Sequence, residues 1–553
     1  MAFWKQIIAI RWAVPIVGAI ISGSAHANPS ITGISIQCPT VNGEIQCLQP
    51  VVGPDGLTAI NGFDGLNTLA DEHSTIMPIV TGSGGYTSGY TFWVASRTST
   101  NTASSGLVVL QGSVVPGTHQ WQLTTDPTYG GGQLFLSPVQ HAVALPNAAF
   151  DLNYAAPGSV VPDPTNNGNL LMVYSATNRS IGPGPSTLPN GAYNSVGIAT
   201  SNDGGLTWPS YASVAAIPPD QNTTAGPASQ DAMGVTGARA CAGYTGMVCN
   251  AGASNAYGRY DVLGPTPSIA ILMGTLGSTG FVGSTGDGSP SGFVDSHSGS
   301  PAPYLYVVDD FVTPPPQGQT TGQTAELTVS RAQLNGGTAP LSFQRWINGS
   351  FSDPGLLSSS PGAAAPSPIG FLSGPLSRSQ SCEGPNQIQT GGSISYDIAT
   401  GQYLLTFVCL SPGGDPATGT GGNGAAWFFA TNTDLSNESD WSQPQEVGNS
   451  WSVITDQGGM GGCGVFDGWY PSLMSTNMLE GELGTDGYVF AMQGCRGDPT
   501  SGGGRTFESA YIVIDTNAAV PEPPAALTFA VAVLSLAVMR RRTAAAAFPA
   551  ATR

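Results

Sequence analysis

Five stretches of this chain present the same succession of elements, and no other feature narrows its folding options so far. Each opens with small residues or proline at the head of a strand and continues with an aromatic-rich strand and then a third; four of the five close near a tryptophan. The first starts at His73 and runs through strands predicted at 77–80, 90–95 and 107–110 to Trp121; the second takes 154–160, 170–175 and 196–200 to Trp208. The third takes 265–272, 304–308 and 325–330 to Trp346, with a Gly/Ser-rich insertion between its first two strands. The fourth takes 386–396, 403–410 and 427–431 to Trp441. The last shows strands at 470–475, 488–493 and 508–514 and no closing tryptophan. A unit of this kind cannot cover its own apolar faces, so neighbouring copies must stack on one another.

Four strands per unit in a fixed order predict an all-β fold, a five-bladed β-propeller over residues 71–516. A six-bladed ring is the alternative count. The last unit lacks a strand, and the N-terminal segment 28–70, with strand character at 31–36 and 44–48, is placed to supply it and close the ring. A β-sandwich would also give short strands and turns, but not the repeated order. Gly 76, Pro 44 and only 9% charged residues suit strands and turns over amphipathic helices. The net charge of −19, with Lys5 the sole lysine, argues against nucleic acid or anionic membrane surfaces as partners. Neutral glycans, or a cation held by carboxylates, stay open.

The second unit ends in Ser201-Asn202-Asp203-Gly204-Gly205-Leu206-Thr207-Trp208. Its spacing, S-x-D-x-G-x-T-W, supplies a serine and an aspartate that can bond the turn's own backbone, and a glycine free to take positive φ. The tryptophan then anchors the hairpin. The stretch resembles the Asp-box (BNR repeat) of sialidases and other propellers. The resemblance implies a structural role for Ser201, Asp203, Gly205, Thr207 and Trp208, away from any active site.

Both ends carry processing signals. Lys5 and Arg11 precede an apolar run at 13–21, and Ala25-His26-Ala27 fits the small-residue cleavage rule. Residues 1–27 therefore read as a signal peptide. At the other end Val520-Pro521-Glu522-Pro523 leads into an apolar stretch, 525–539, closed by Arg540-Arg541-Arg542. The stretch is short for a permanent span of about 20 residues. The tail 517–553 resembles the PEP-CTERM sorting signal that exosortases process in polysaccharide-producing Gram-negative bacteria. That resemblance implies signal peptidase and exosortase as export partners, a transient membrane association, and a secreted or surface location. Eight cysteines fit an oxidising compartment. They fall into sequential pairs: Cys38 with Cys47, Cys241 with Cys249, Cys382 with Cys409, and Cys463 with Cys495. No C-x-x-C occurs and histidine is scarce, so no metal site is expected from these residues.

Propeller ligands bind where innermost strands start, and polar residues gather there: Asp71, Glu72 and His73; Asp151 and Asn153; Arg259 and Asp261; Arg378 and Glu383; Asp467 with Trp469. Acids at every blade start in so uncharged a chain are the functional signal. Their plainer reading is that they satisfy loop amides or bind Ca²⁺. Glu383-Gly384-Pro385 resembles the E-G-P stretch at the general acid of family 43 glycosidases, which are five-bladed propellers. The resemblance implies Asp151 as base, Asp261 as modulator and Glu383 as acid, although Glu383 opens the fourth unit and the family has its acid in the third. Crowded carboxyls keep one protonated beside another ionised, as glycosidic cleavage requires. Tyr154, Arg259, Arg378, Asp467 and Trp469 are the candidate substrate-binding residues, and Tyr257, Tyr260 and Tyr470 further aromatic platforms; no cofactor is required, with Ca²⁺ admitted. The alternatives are a non-catalytic carbohydrate-binding or matrix propeller and an exo-sialidase. A sialidase would need three carboxylate-gripping arginines, from Arg239, Arg259, Arg378 and Arg496, and the R-I-P stretch of that family is missing. Mass spectrometry of the secreted protein is expected to find a mature N-terminus at Asn28 and no terminus at Arg553; an intact tail would count against sorting.

Overall fold

The strands at the heart of this chain are buried on both faces. In the computed structural model, residues 171–175, 305–310 and 403–409 are buried without a break. Runs such as Tyr403-Leu404-Leu405-Thr406-Phe407-Val408-Cys409 therefore replace the alternation of a half-exposed strand, and each needs a sheet against either side. The structure describes residues 29–41, 44–45, 47–56, 68–69, 73–80, 86–97, 105–124, 154–166, 169–178, 192–202, 204–205, 284–300, 302–312, 325–336, 341, 343–347, 349–353, 388–411, 424–448, 450, 469–475, 482–493 and 506–517. Gly33–Asp515 forms one compact unit, and the following account concerns it.

That unit is an all-β propeller of five blades. Blade 1 consists of Thr75–Val80, Tyr86–Arg97, Ser105–Val114 and Trp121–Leu123, with Thr68–Leu69 extending the first strand backwards. Blade 2 is described over Tyr154–Pro162, Leu170–Asn178 and Ala192–Ser201. Blade 3 has Ser284–Asp295, Tyr304–Val312, Ala325–Gln333 and Phe343–Ile347, and blade 4 Ile388–Asp397, Gln402–Ser411, Gly424–Asn432 and Gln445–Glu446. Blade 5 has Trp469–Met474, Asp486–Gln493 and Thr506–Thr516, and its outer edge is taken by Ile31–Gln37 and Gln49–Pro50 from the start of the chain. A short strand, Glu482–Leu483, leaves blade 5 to pair in parallel with the innermost strand of blade 4.

The innermost strand of every blade is interrupted at the same level. Pairing with the second strand breaks between Leu69 and Thr75, Pro157 and Val160, Gly288 and Ser291, Thr390 and Ser393, and Trp469 and Ser472. Three of these bulges hold a residue at positive φ: Ser289 at 49°, Gly391 at 63° and Tyr470 at 56°. Blades meet along apolar seams. Trp121, fully buried, packs edge-on against Phe92 of its own blade at 5.5 Å and Phe490 of blade 5 at 5.2 Å. Trp346 and Trp441 are also buried, so three of the four closing tryptophans do the anchoring expected of them; Trp208 lies outside the described residues.

One predicted strand was misplaced. The strand that pairs with Tyr304–Val312 is Ser284–Asp295, within the stretch read from sequence as an insertion, and 265–272 lies outside the described residues. Cys38–Cys47 is a disulfide, with Cα atoms 4.0 Å apart. Cys409 is disulfide-bonded as well. Cys382, Cys241, Cys249, Cys463 and Cys495 lie outside the described residues.

Gly158 shows how tightly the innermost strands approach. A Cβ there would lie 2.6 Å from the Pro290 carbonyl oxygen and 2.7 Å from that of Val173, both backbone atoms that cannot swing away. Gly158→Ala is expected to destabilise the protein by about 1–3 kcal/mol, read as a lower urea midpoint; an unchanged midpoint would contradict this packing.

Candidate functional site

Where innermost strands finish, the chain returns through short turns, and aspartates organise three of them. Asp163 Oδ1 accepts from Thr165 N at 2.9 Å, and Asp295 Oδ1 from His297 N at 2.8 Å and from the Tyr403 hydroxyl at 2.8 Å. Asp397 Oδ2 accepts from Thr400 N at 3.0 Å, and burial raises its pKa against the lowering effect of these bonds. These acids satisfy turn amides and hold the turns rigid.

At the end where innermost strands start stand two residues that the sequence singles out. Tyr154 and Trp469 are the first residues of the innermost strands of blades 2 and 5. Asp151, Asp261, Glu383, Arg259, Arg378 and Asp467 lie outside the described residues, as do Asp71, Glu72, Arg239 and Arg496. The register correction in blade 3 changes the standing of Asp261, because it no longer directly precedes its innermost strand, which begins at Ser284. Tyr470 is buried, with its ring edge-on to His73 at 5.5 Å, so it packs the axis and offers no open platform. Five blades form, not the six that the sialidase reading needs. In the Asp-box stretch, Ser201 is buried and its Oγ accepts from Gly205 N at 2.8 Å, with Gly204 and Gly205 at φ 77° and 89°. Asp203, Thr207 and Trp208 lie outside the described residues.

His73 is the ionisable sequence candidate of this face whose surroundings are described. It sits in the interruption of blade 1, fully buried, with Nδ1 3.2 Å from Ser472 Oγ of blade 5. Its Nε2 has no hydrogen-bond partner among the described residues. Burial pushes its pKa down to about 3, so the ring is neutral at working pH.

From this level a cavity of about 250 Å³ follows the axis toward the strand ends. Its ionisable lining is His297 and Glu482, paired at 3.3 Å, with the His297 ring stacked on Tyr396 at 3.8 Å. Sequence reasoning missed this cavity because its walls are serines and apolar residues. Aligning the five innermost strands on their serines would have found it. No group of three or more His, Cys, Asp or Glu able to hold a metal occurs among the described residues.

No protein-family model matches this chain, and no curated protein does. Among solved structures it is similar to a GH62 hydrolase in complex with xylotriose, at 8% identity over 82% of this chain and 94% of that one, with a TM-score of 0.36. It is also similar to the GH93 α-L-arabinofuranosidase of Fusarium graminearum with arabinobiose, at 9% identity over 82% and 97%, TM-score 0.34. A third is the endo-1,5-α-L-arabinanase of Thermotoga petrophila, at 13% identity over 81% and 71%, TM-score 0.32.

The buried His73 has a consequence for acid stability. An unfolded histidine takes up a proton below about pH 6.5, and folded His73 does so only near 3. Stability is therefore complete above pH 6.5 and falls as pH drops, by up to about 1.4 kcal/mol per unit from this group. His73→Asn, which cannot titrate, is expected to lose this contribution, so that its urea midpoint falls less than that of the native protein between pH 6.5 and 5. Identical slopes in the two proteins would show that burial does not hold His73 neutral.

Proposed function

We propose that this protein is an exported propeller that hydrolyses glycosidic bonds of an extracellular polysaccharide on the face where its innermost strands start. The observation that carries the reading is the unequal investment of chain at the two ends of the axis. Returns at the strand ends are brief, as at 163–169, 296–303 and 398–401, whereas 124–153 leads into Tyr154 and 354–387 into Ile388. Long connections presented by a rigid scaffold are where binding and catalytic groups concentrate. Asp151 stands three residues before Tyr154, Glu383 five before Ile388 and Asp467 two before Trp469. At about 3.4 Å of reach per residue, each is tethered close to a strand start. Glu383 acts as general acid, Asp151 as base or nucleophile, and Asp261, on a longer tether, as the modulator. Arg259, Arg378, Asp467, Tyr154 and Trp469 grip the substrate.

The role split follows from proximity: an ionised carboxylate nearby raises the pKa of the acid and keeps its proton until the leaving oxygen takes it. Ca²⁺, if used, would be held by the carboxylates of this face. Signal peptidase and exosortase would deliver the protein to the cell surface or matrix.

A second reading is a non-catalytic carbohydrate-binding propeller. It is favoured by Asp163, Asp295 and Asp397, which show that this chain spends acids on turn amides. Glu383→Gln separates the two. It keeps the shape but carries no transferable proton, so turnover should fall by roughly 10²–10⁴ on polysaccharide and much less on aryl glycosides with good leaving groups. Undiminished turnover in the variant would take the acid role from Glu383, and no turnover of any polysaccharide by the native protein favours the binding reading.

A further inference from the structure

The axial cavity at the strand ends is lined in two tiers, and the proposed catalysis uses neither. At the interruptions stand Ser74, Ser159, Ser291, Ser393 and Ser472, one from each blade. Two residues further along each strand come Ile76, Val161, Phe293, Ser395 and Met474. A belt of hydroxyls thus lies above a belt that is mostly apolar.

Most hydrogens of the upper belt are already engaged. Ser159 donates to Ser291 Oγ at 3.1 Å and Ser393 to the Pro471 carbonyl at 2.6 Å. Ser472 Oγ lies 3.2 Å from His73 Nδ1 and 3.4 Å from the Tyr470 carbonyl. A hydroxyl has one hydrogen and two lone pairs, so this belt presents lone pairs to the axis and asks for donors from whatever enters. Ser74 differs from these: it lines the cavity, its buried Oγ has no partner among the described residues, and its hydrogen is still to be placed. A buried hydroxyl left unmet costs about 1–3 kcal/mol, which a hydrogen-bonding ligand would relieve. The cavity volume of about 250 Å³ corresponds to about eight waters at ~30 Å³ each, enough for roughly a dozen closely bonded heavy atoms. The ionisable groups of the lining, His297 and Glu482, engage each other, which disfavours a charged guest.

We propose that the strand-end half of the axial channel is a second binding site, separate from the strand-start face, for a neutral polyhydroxylated molecule of monosaccharide size. Hydroxyls of the guest donate to the serine belt, and its carbon skeleton rests on Ile76, Val161, Phe293 and Met474.

The test titrates the mature protein separately with D-glucose, D-xylose, L-arabinose and myo-inositol, by calorimetry and saturation-transfer NMR. Saturable binding of at least one is expected. Ser74→Ala should weaken that binding by roughly 2- to 10-fold, the worth of one hydrogen bond, without loss of thermal stability, because no protein contact of the hydroxyl is removed. Val161→Phe, which narrows the lower tier, should abolish binding; if that variant does not fold, Ser74→Ala alone decides. Absence of saturable binding by all four compounds, or binding that Ser74→Ala leaves unchanged, would overturn the site.

Discussion

Everything in this propeller depends on how five strands share one axis. Strands that close have no room for large side chains at their nearest approach, and the chain answers with glycine, serine and a bulge. Gly292 would set a Cβ 2.7 Å from Val173 Cγ2, and Gly392 one 2.7 Å from Val308 Cγ1. The bulge turns the strand so that a serine, and not a branched residue, meets the axis. Its cost is visible at Ser289 and Tyr470, which hold left-handed φ without being glycine, a strain of about 1–3 kcal/mol each. Around Tyr470 the compensation is packing: His73 lies against its ring and Gly391 against its backbone.

Blade order was legible because the same succession of strands recurs and closes near a tryptophan, with second strands that are apolar runs of strand length. Tyr403 to Cys409 and Leu171 to Ser175 could be read directly. The innermost strand of blade 3 was not legible, for the converse reason. Ser284-Thr285-Gly286-Asp287-Gly288-Ser289-Pro290-Ser291 has the composition of a loop, and only the crowding at the axis makes such residues the correct ones for a strand. An apolar run at 268–272 drew the assignment away from them. The serine belt was hidden by the same confusion, since serine is counted as a turn former. Of the strand-start face, sequence offers the carboxylates, His73 and their distance from strand starts, and the described structure adds the neutral, buried state of His73.

The strand-end face offers a rigidity of its own. The strand ends are knit across blades: Glu482 of the blade 5 excursion reaches His297 of blade 3, and Ile398 N of blade 4 donates to the Leu483 carbonyl at 3.1 Å. Such cross-links fix the frame on which the opposite face is mounted. A scaffold braced at one end leaves the other free to vary its connections without disturbing blade packing.

The strand from the start of the chain that edges blade 5 has a bearing on the timing of folding. Gln49 and Pro50 pair with Ser509 and Glu508, so this contact spans nearly the whole unit in sequence. Loop closure over such a distance carries a large entropic barrier, and topologies rich in remote pairings fold slowly. Blades 1 to 4 can assemble in order as the chain emerges, each templated by the one before. The ring stays a horseshoe until the final strand arrives, and during that interval the first and fifth blades expose the edges and faces that later meet as Trp121 and Phe490. A chain of this design is thus most vulnerable to proteases and to association with its own copies in the moments before its last strand is delivered.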